Sequence, residues 1–151
     1  MFKHILVAVD GSETSNLAMQ TAIKLAKDQH AVLHVVHVAD EFLDVSEGVA
    51  IDFDKYEKSI RDHGQVILHK MEALADEAKI AVKIHLIEIT DYADHIPEKL
   101  VEAANIHHAD LMIIGTHGRR GFRRFLLGSV AEGVARLASV PVLLIRGKIK
   151  D

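Results

Sequence analysis

Short β-branched runs and longer stretches with helical spacing take turns along the chain. Ile5-Leu6-Val7-Ala8-Val9 is apolar without interruption, the pattern of a strand buried on both faces. Asp10-Gly11-Ser12 breaks it. Leu17, Ala18, Ala22, Ile23, Leu25 and Ala26 then recur at helical spacing, with Lys24 and Lys27 left for the wet face. Val32 to Val38 reads as a second strand, and Asp40 to Phe53, without a period, as a long surface loop. From about Asp54 the helical pattern returns through Tyr56, Ile60, Ile67, Met71, Leu74 and Ala78. Gly64 lies inside it and costs about 1 kcal/mol relative to alanine, so a bend or break is expected there.

Ala81 to Ile89 alternates as a third strand, with Val82, Ile84 and Leu86 on one face. Ile96, Leu100, Val101 and Ala104 mark a third helix. Pro97 is acceptable in its first turn, where amide hydrogens lack intrahelical partners. Leu111 to Ile114 is a fourth buried strand ending at Gly115. Ser129-Val130-Ala131-Glu132 has the S-x-x-E spacing of a capping box and predicts the start of a fourth helix. Val140 to Ile145 is the last strand, and proline near a strand start favours an edge. Five strands alternating with four helices predict one α/β domain over residues 1–151: a doubly wound parallel sheet with helices on both faces.

Composition narrows the classes. A chain of 151 residues can hold one hydrophobic core without disulfides or metal. The absence of cysteine excludes a thiol nucleophile, an iron–sulfur centre and cysteine-ligated zinc, and fits a reducing, cytoplasmic setting. No apolar run has the length of a membrane span, and the N-terminus moves directly into a strand, so neither membrane insertion nor a signal peptide is expected. A net charge of −4 argues against a general nucleic-acid coat.

Against that negative background one basic loop stands out. Residues 119–124 hold four of the seven arginines, within a stretch running from Gly115-Thr116-His117-Gly118 to Gly128-Ser129. Glycines let backbone amides approach an anion, a helix start favours phosphate, and arginines add charge-assisted hydrogen bonds. In a doubly wound sheet ligands bind beyond the carboxyl ends of the strands where the winding reverses. Asp10-Gly11-Ser12, His37-Val38-Ala39-Asp40 and the glycine loop are expected to meet there. Neither the P-loop pattern G-x-x-x-x-G-K-[ST] nor a G-x-G-x-x-G fingerprint after the first strand is present.

Gly115, Gly118, Gly128 and Ser129 fit G-x2-G-x9-G-[ST], and here the chain resembles the ATP-binding branch of the universal stress protein family. At a glycine frequency of ~7%, three glycines so spaced arise by chance in about one chain in twenty of this length. The opening Ile5 to Ser12, Leu127 to Val130 and Pro141 to Ile145 extend the resemblance over essentially the whole chain. It implies an adenine nucleotide alpha hydrolase-like sheet of strand order 3-2-1-4-5 that binds ATP, AMP or ADP, with or without Mg2+, in a regulatory stress-response role. By the same resemblance Val9 and Asp10 lie at the nucleotide site, with Asp10 on its ribose or adenine side. Val38 contacts adenine, Gly115 and Gly118 lie near ribose and phosphate, Arg119 is the basic residue of the loop, and Gly128, Ser129 and Val130 hold phosphate. Arg120, Arg123 and Arg124 extend the site on physical grounds alone. One departure is the stretch Glu88 to Asp94, where the family often has a glycine before the third helix.

Each assignment has a purely structural alternative. Asp10 could stabilise a turn, Ser129 could be a helix cap, the glycines could serve turns, and the arginines could face solvent or a protein. A phospho-acceptor role for Asp10 is disfavoured, since only Asp40 joins it at the rim. The 11 histidines show no metal-binding spacing: His34 and His37 point to opposite faces of one strand, His107 and His108 do not share a helix face, and no metal site is expected. No activated nucleophile or general base can be named, so efficient catalysis is not expected and any ATP hydrolysis would be slow. Val142 to Ile145 would make an aggregation-prone edge unless a second copy covered it, so a homodimer through the last strand is expected. Two rivals are a dimeric signalling protein of the same family without nucleotide, and an adenylyl-transferase-like enzyme. The H-x-G-H and S-G-G-x-D motifs of the latter are missing.

Overall fold

Residues 1–40, 52–89, 95–117 and 127–147 are described in the computed structural model. Their aliphatic runs form strands β1 (His4–Ala8), β2 (Val32–Asp40), β3 (Val82–Ile89), β4 (Leu111–Gly115) and β5 (Val142–Ile145). The helices are α1 (Glu13–Gln29), α2 (Phe53–Glu77), α3 (Ile96–Ile106) and α4 (Ser129–Leu137). All pairings are parallel and the order is β3-β2-β1-β4-β5, the expected doubly wound sheet. No helix among the described residues is long and apolar enough to cross a membrane.

Strand alternation splits the core in two. Ile5, Val7, Leu33 and Val35 pack under α1 and α2 with Met19, Leu68 and Met71. Leu6, Val36 and Met112 pack under α3 and α4 with Leu100 and Val134. Parallel strands buried this way favour apolar side chains on both faces, which explains the unbroken run in β1. Asp110 sets the start of the β1–β4 ladder. Its carboxylate accepts from the amides of Lys3 (2.8 Å) and His4 (3.2 Å), and its own amide donates to the His4 carbonyl at 2.8 Å.

Local chemistry sets the helix ends. The Ser12 hydroxyl accepts from the Ser15 amide at 3.1 Å and caps α1. His30 closes it in the left-handed region (φ 53°). Asp52 caps α2, so this helix begins slightly before the expected Asp54; residues 41–51 of the expected loop lie outside the described residues. The last strand begins at Val142 rather than Val140, although the Pro141 carbonyl already accepts from the Met112 amide at 2.9 Å.

Two expectations are corrected. Helix α2 runs unbroken through Gly64. A Cβ there would lie 2.7 Å from Leu86 Cδ1 and 2.9 Å from His37 Cδ2, so the glycine lets α2 lie close against β2 and β3. Ser129 is the first residue of α4 and not its cap. Gly128 holds the cap position and has no side chain to cap with; its amide donates to the Thr116 carbonyl at 2.7 Å and ties the helix start to the end of β4.

Helices α3 and α4 cross at another glycine. A Cβ on Gly133 would lie 2.6 Å from Pro97 Cγ and 2.7 Å from Pro97 Cβ, a rigid ring in the first turn of α3. Overpacking costs roughly 1–3 kcal/mol, against about 1 kcal/mol gained in helix propensity. Gly133→Ala is therefore expected to lose about 1 kcal/mol in urea unfolding, despite alanine being the better helix former.

Candidate functional site

Pairing between β1 and β4 stops at Val7↔Ile113. Beyond it β1 stays with β2, through Ala8↔Val36 and the Val9 amide on the Val36 carbonyl (2.9 Å), while β4 stays with β5 to Gly115↔Ile145. The two halves of the sheet part at their carboxyl ends, where the winding reverses. A cavity of about 670 Å³ opens there. That volume suits a nucleotide-sized ligand.

The three segments expected to meet do so. Val9 and Asp10 follow β1, Val38 lies on β2, and Gly115 ends β4, all on the cavity wall. Gly128, Ser129 and Val130 bring the start of α4 to the same wall. Gly118 and Arg119, with Arg120, Arg123 and Arg124, lie outside the described residues. So do residues 90–94, the departure from the family pattern.

Asp10 has a structural duty. Its Oδ1 accepts from the Ser12 amide at 2.9 Å, an Asx turn that delivers the chain into α1. Its amide donates to the buried Ser15 hydroxyl at 3.3 Å, and that hydroxyl donates to the Ser12 carbonyl at 3.0 Å. The turn holds the carboxyl group at the cavity edge.

The glycines are explained first by packing. A Cβ on Gly115 would stand 2.7 Å from Thr14 Cγ2, so the end of β4 touches α1. A Cβ on Gly128 would stand 2.7 Å from the Thr116 carbonyl oxygen, a backbone atom that cannot yield cheaply. An alanine at 128 would disturb the loop whether or not a ligand binds there. What the close approach leaves toward the cavity is the first turn of α4, with its unpaired amides and positive dipole end.

Sequence reasoning named the rim but not the opposite wall. Tyr56, Ile60 and His63 of α2 line the cavity, as do Ile96 and Leu100 of α3. Their helical spacing reads equally well as core, so no local signal marks them. His37 is buried, and its Nδ1 lies 2.7 Å from the Val9 carbonyl. A carbonyl only accepts, so Nδ1 carries the proton and the ring ties β2 to the end of β1. His117 lines the cavity with Nδ1 3.1 Å from the Thr116 hydroxyl.

A second concentration of chemistry sits on the α3/α4 side of the sheet, toward the amino ends of β1 and β2. His34 of β2 is 3% exposed. His34 Nδ1 is 3.1 Å from His85 Nε2 of β3, and His34 Nε2 is 3.2 Å from His4 Nδ1 of β1. His107, just after α3, stacks on His85 with ring centroids 3.9 Å apart. The spacing argument against histidine pairs holds within each element; this cluster forms between elements. Burial first, then the neighbouring His85, His107, His4 and Lys83, push the His34 pKa down to about 4. Burial, then His107 and Lys83, lower that of His85.

The universal stress protein family model matches residues 1–146. A universal stress protein of Methanocaldococcus jannaschii is 34% identical over 152 residues, covering all of this chain and 86% of that one. One of Bacillus subtilis is 30% identical over 97% of this chain and all of the other. A solved family structure from Burkholderia pseudomallei superposes with a TM-score of 0.76 at 33% identity, covering 95% of both chains. Two more distant structures share the fold at TM-scores of 0.66: a universal stress protein in complex with cAMP (23% identical; 96% of this chain, 97% of that one) and one from Archaeoglobus fulgidus in complex with dAMP (24% identical; 95% and 97%).

The histidine cluster yields a pH dependence. An unfolded histidine titrates near 6.5 and folded His34 near 4, so between these values the unfolded chain binds more protons. The stability from keeping His34 neutral is therefore complete above about pH 6.5 and is lost as the pH falls through about 4. Urea unfolding of chelator-treated protein is expected to show a loss on the order of 2–3 kcal/mol over this window. His34→Gln should flatten the profile there.

Proposed function

The chain belongs to the universal stress protein family, and from that premise we propose that it binds an adenine nucleotide, ATP or else AMP or ADP, in the cavity between β1 and β4 and serves as a regulatory stress-response module. The carrying observation is the cavity at the winding reversal, with the start of α4 on one wall and aliphatic side chains on the other. The helix start supplies amides and a positive end for phosphate. Val38, Ile96 and Leu100 supply an apolar slot for a base. The Asp10 carboxylate, held at the rim by its turn, is an acceptor for ribose hydroxyls. Distant family members in complex with cAMP and dAMP support an adenylate as the ligand class.

The Thr116 hydroxyl lies 3.1 Å from His117 Nδ1, but Thr116 is buried, so we propose binding without efficient turnover. The protein acts in the cytoplasm in this reading, and neither nucleic acid nor membrane is its partner. A twofold dimer through β5 completes it. This strand forms an edge of the sheet, and Leu143 is 38% exposed on it.

Calorimetric titration with ATP, ADP and AMP, each with and without Mg2+, tests the site. Asp10→Asn retains an oxygen for the Ser12 amide while removing the charge, so it should bind about tenfold more weakly at unchanged Tm. No binding of any adenylate by folded wild-type protein overturns the reading in favour of a nucleotide-independent family member, and ATP turnover at about 1 s⁻¹ or faster overturns the non-enzymatic part.

Light scattering should report a dimer. Leu143→Lys should shift it toward monomer by placing a charge on the edge strand.

A further inference from the structure

We propose that His34, His85 and His107 form a binding site for one zinc-like divalent transition-metal ion, separate from the nucleotide cavity. One ring nitrogen from each of the three lies within 4.8 Å of the others. They come from β2, β3 and the residue after α3, and converge on the apolar face that α3 covers. Imidazole suits zinc, copper and nickel, and three histidines plus water make a common zinc shell.

The distances favour this use. Metal–nitrogen bonds of about 2.0–2.1 Å in a tetrahedron put neighbouring nitrogens about 3.4 Å apart. His34 Nδ1 and His85 Nε2 already stand 3.1 Å apart, close to that edge. The opposite nitrogen of His34 faces His4 Nδ1 at 3.2 Å. If His34 carries its proton on Nε2 and donates it to His4, Nδ1 is left with its lone pair toward His85, the tautomer a ligand needs. His4 is then a positioning residue. His85 and His107 are half-buried and line a second cavity of about 440 Å³ beside Lys99 and Glu102, which gives the ion a way in and leaves room for water.

A purely structural role accounts for less. Near-parallel rings do stack, with His34 and His107 centroids 5.1 Å apart. Yet a buried imidazole carries polar nitrogens that an aliphatic side chain would not, and such groups cost stability unless partnered. Both His34 nitrogens face other imidazoles.

Full-length protein stripped with a chelator is titrated with Co2+ and then Zn2+, without nucleotide. Expected are the visible bands of a four-coordinate cobalt centre saturating at one equivalent and displaced by zinc. His85→Ala and His107→Ala should each weaken zinc binding by about 100-fold, and His4→Ala by about tenfold. His69→Ala, an exposed histidine paired with Glu72, should bind as wild type. Imidazole nitrogen spectra of wild-type protein give a readout independent of any variant. Zinc should shift the His34, His85 and His107 rings and leave those of His30 and His69 in place. Absence of the cobalt bands, shifts confined to other histidines, or wild-type affinity in a folded His85→Ala/His107→Ala protein would each overturn the site.

Discussion

The constraint on which the structure depends is the short ladder between β1 and β4. It spans Ile5 to Val7 on one strand and Leu111 to Ile113 on the other, and Asp110 holds its start. Helix α1 packs across this seam on one face, against β1 and β4 alike, and the winding direction of the chain reverses here. Once the ladder ends, each strand continues with its outer neighbour and the backbone opens. The cavity is thus a consequence of topology, and its wall chemistry is whatever follows the two central strands: Asp10 after β1, and Gly115 to His117 at the end of β4.

Glycine plays two parts in this arrangement, and the structure separates them. Gly115 and Gly128 permit contacts with Thr14 and with the Thr116 carbonyl that any Cβ would block. Those contacts seat the start of α4 at the seam. A glycine signature for nucleotide binding therefore works at one remove: close packing of the protein on itself presents the helix amides to the cavity. Gly64 and Gly133 make the same kind of close contact between α2 and the sheet and between α3 and α4.

The sheet carries two kinds of chemistry at opposite ends. At the carboxyl ends of β1, β2 and β4 lies the cavity, with a helix start on its wall; toward the amino ends of β1 and β2 lies a stack of imidazoles. His37 and His34, three residues apart on β2, belong to different faces and different environments. One ring secures the Val9 carbonyl, and the other has an imidazole facing each of its nitrogens.

Much of this was legible in the residues. Unbroken aliphatic runs identify strands buried on both faces, and regular alternation with helices leaves a parallel sheet as the natural solution, so the fold class followed; the strand order was implied by the family resemblance. Asp10, Val38 and Gly115 were placed together because ligands in such sheets gather where the winding turns, Gly128 and Ser129 joined them as a helix start that favours phosphate, and Val9 and Val130 came from the family resemblance. Three things belonged to tertiary structure alone. The packing duty of Gly64 depends on how near α2 lies to His37 and Leu86. The cap of α4 passes from Ser129 to Gly128, whose amide donates to the Thr116 carbonyl. The histidine cluster joins residues up to 103 positions apart from His4 to His107, and spacing within one element carries no trace of it. Periodicity reports which face a side chain takes; which faces meet, and at what distance, is settled only when the elements pack.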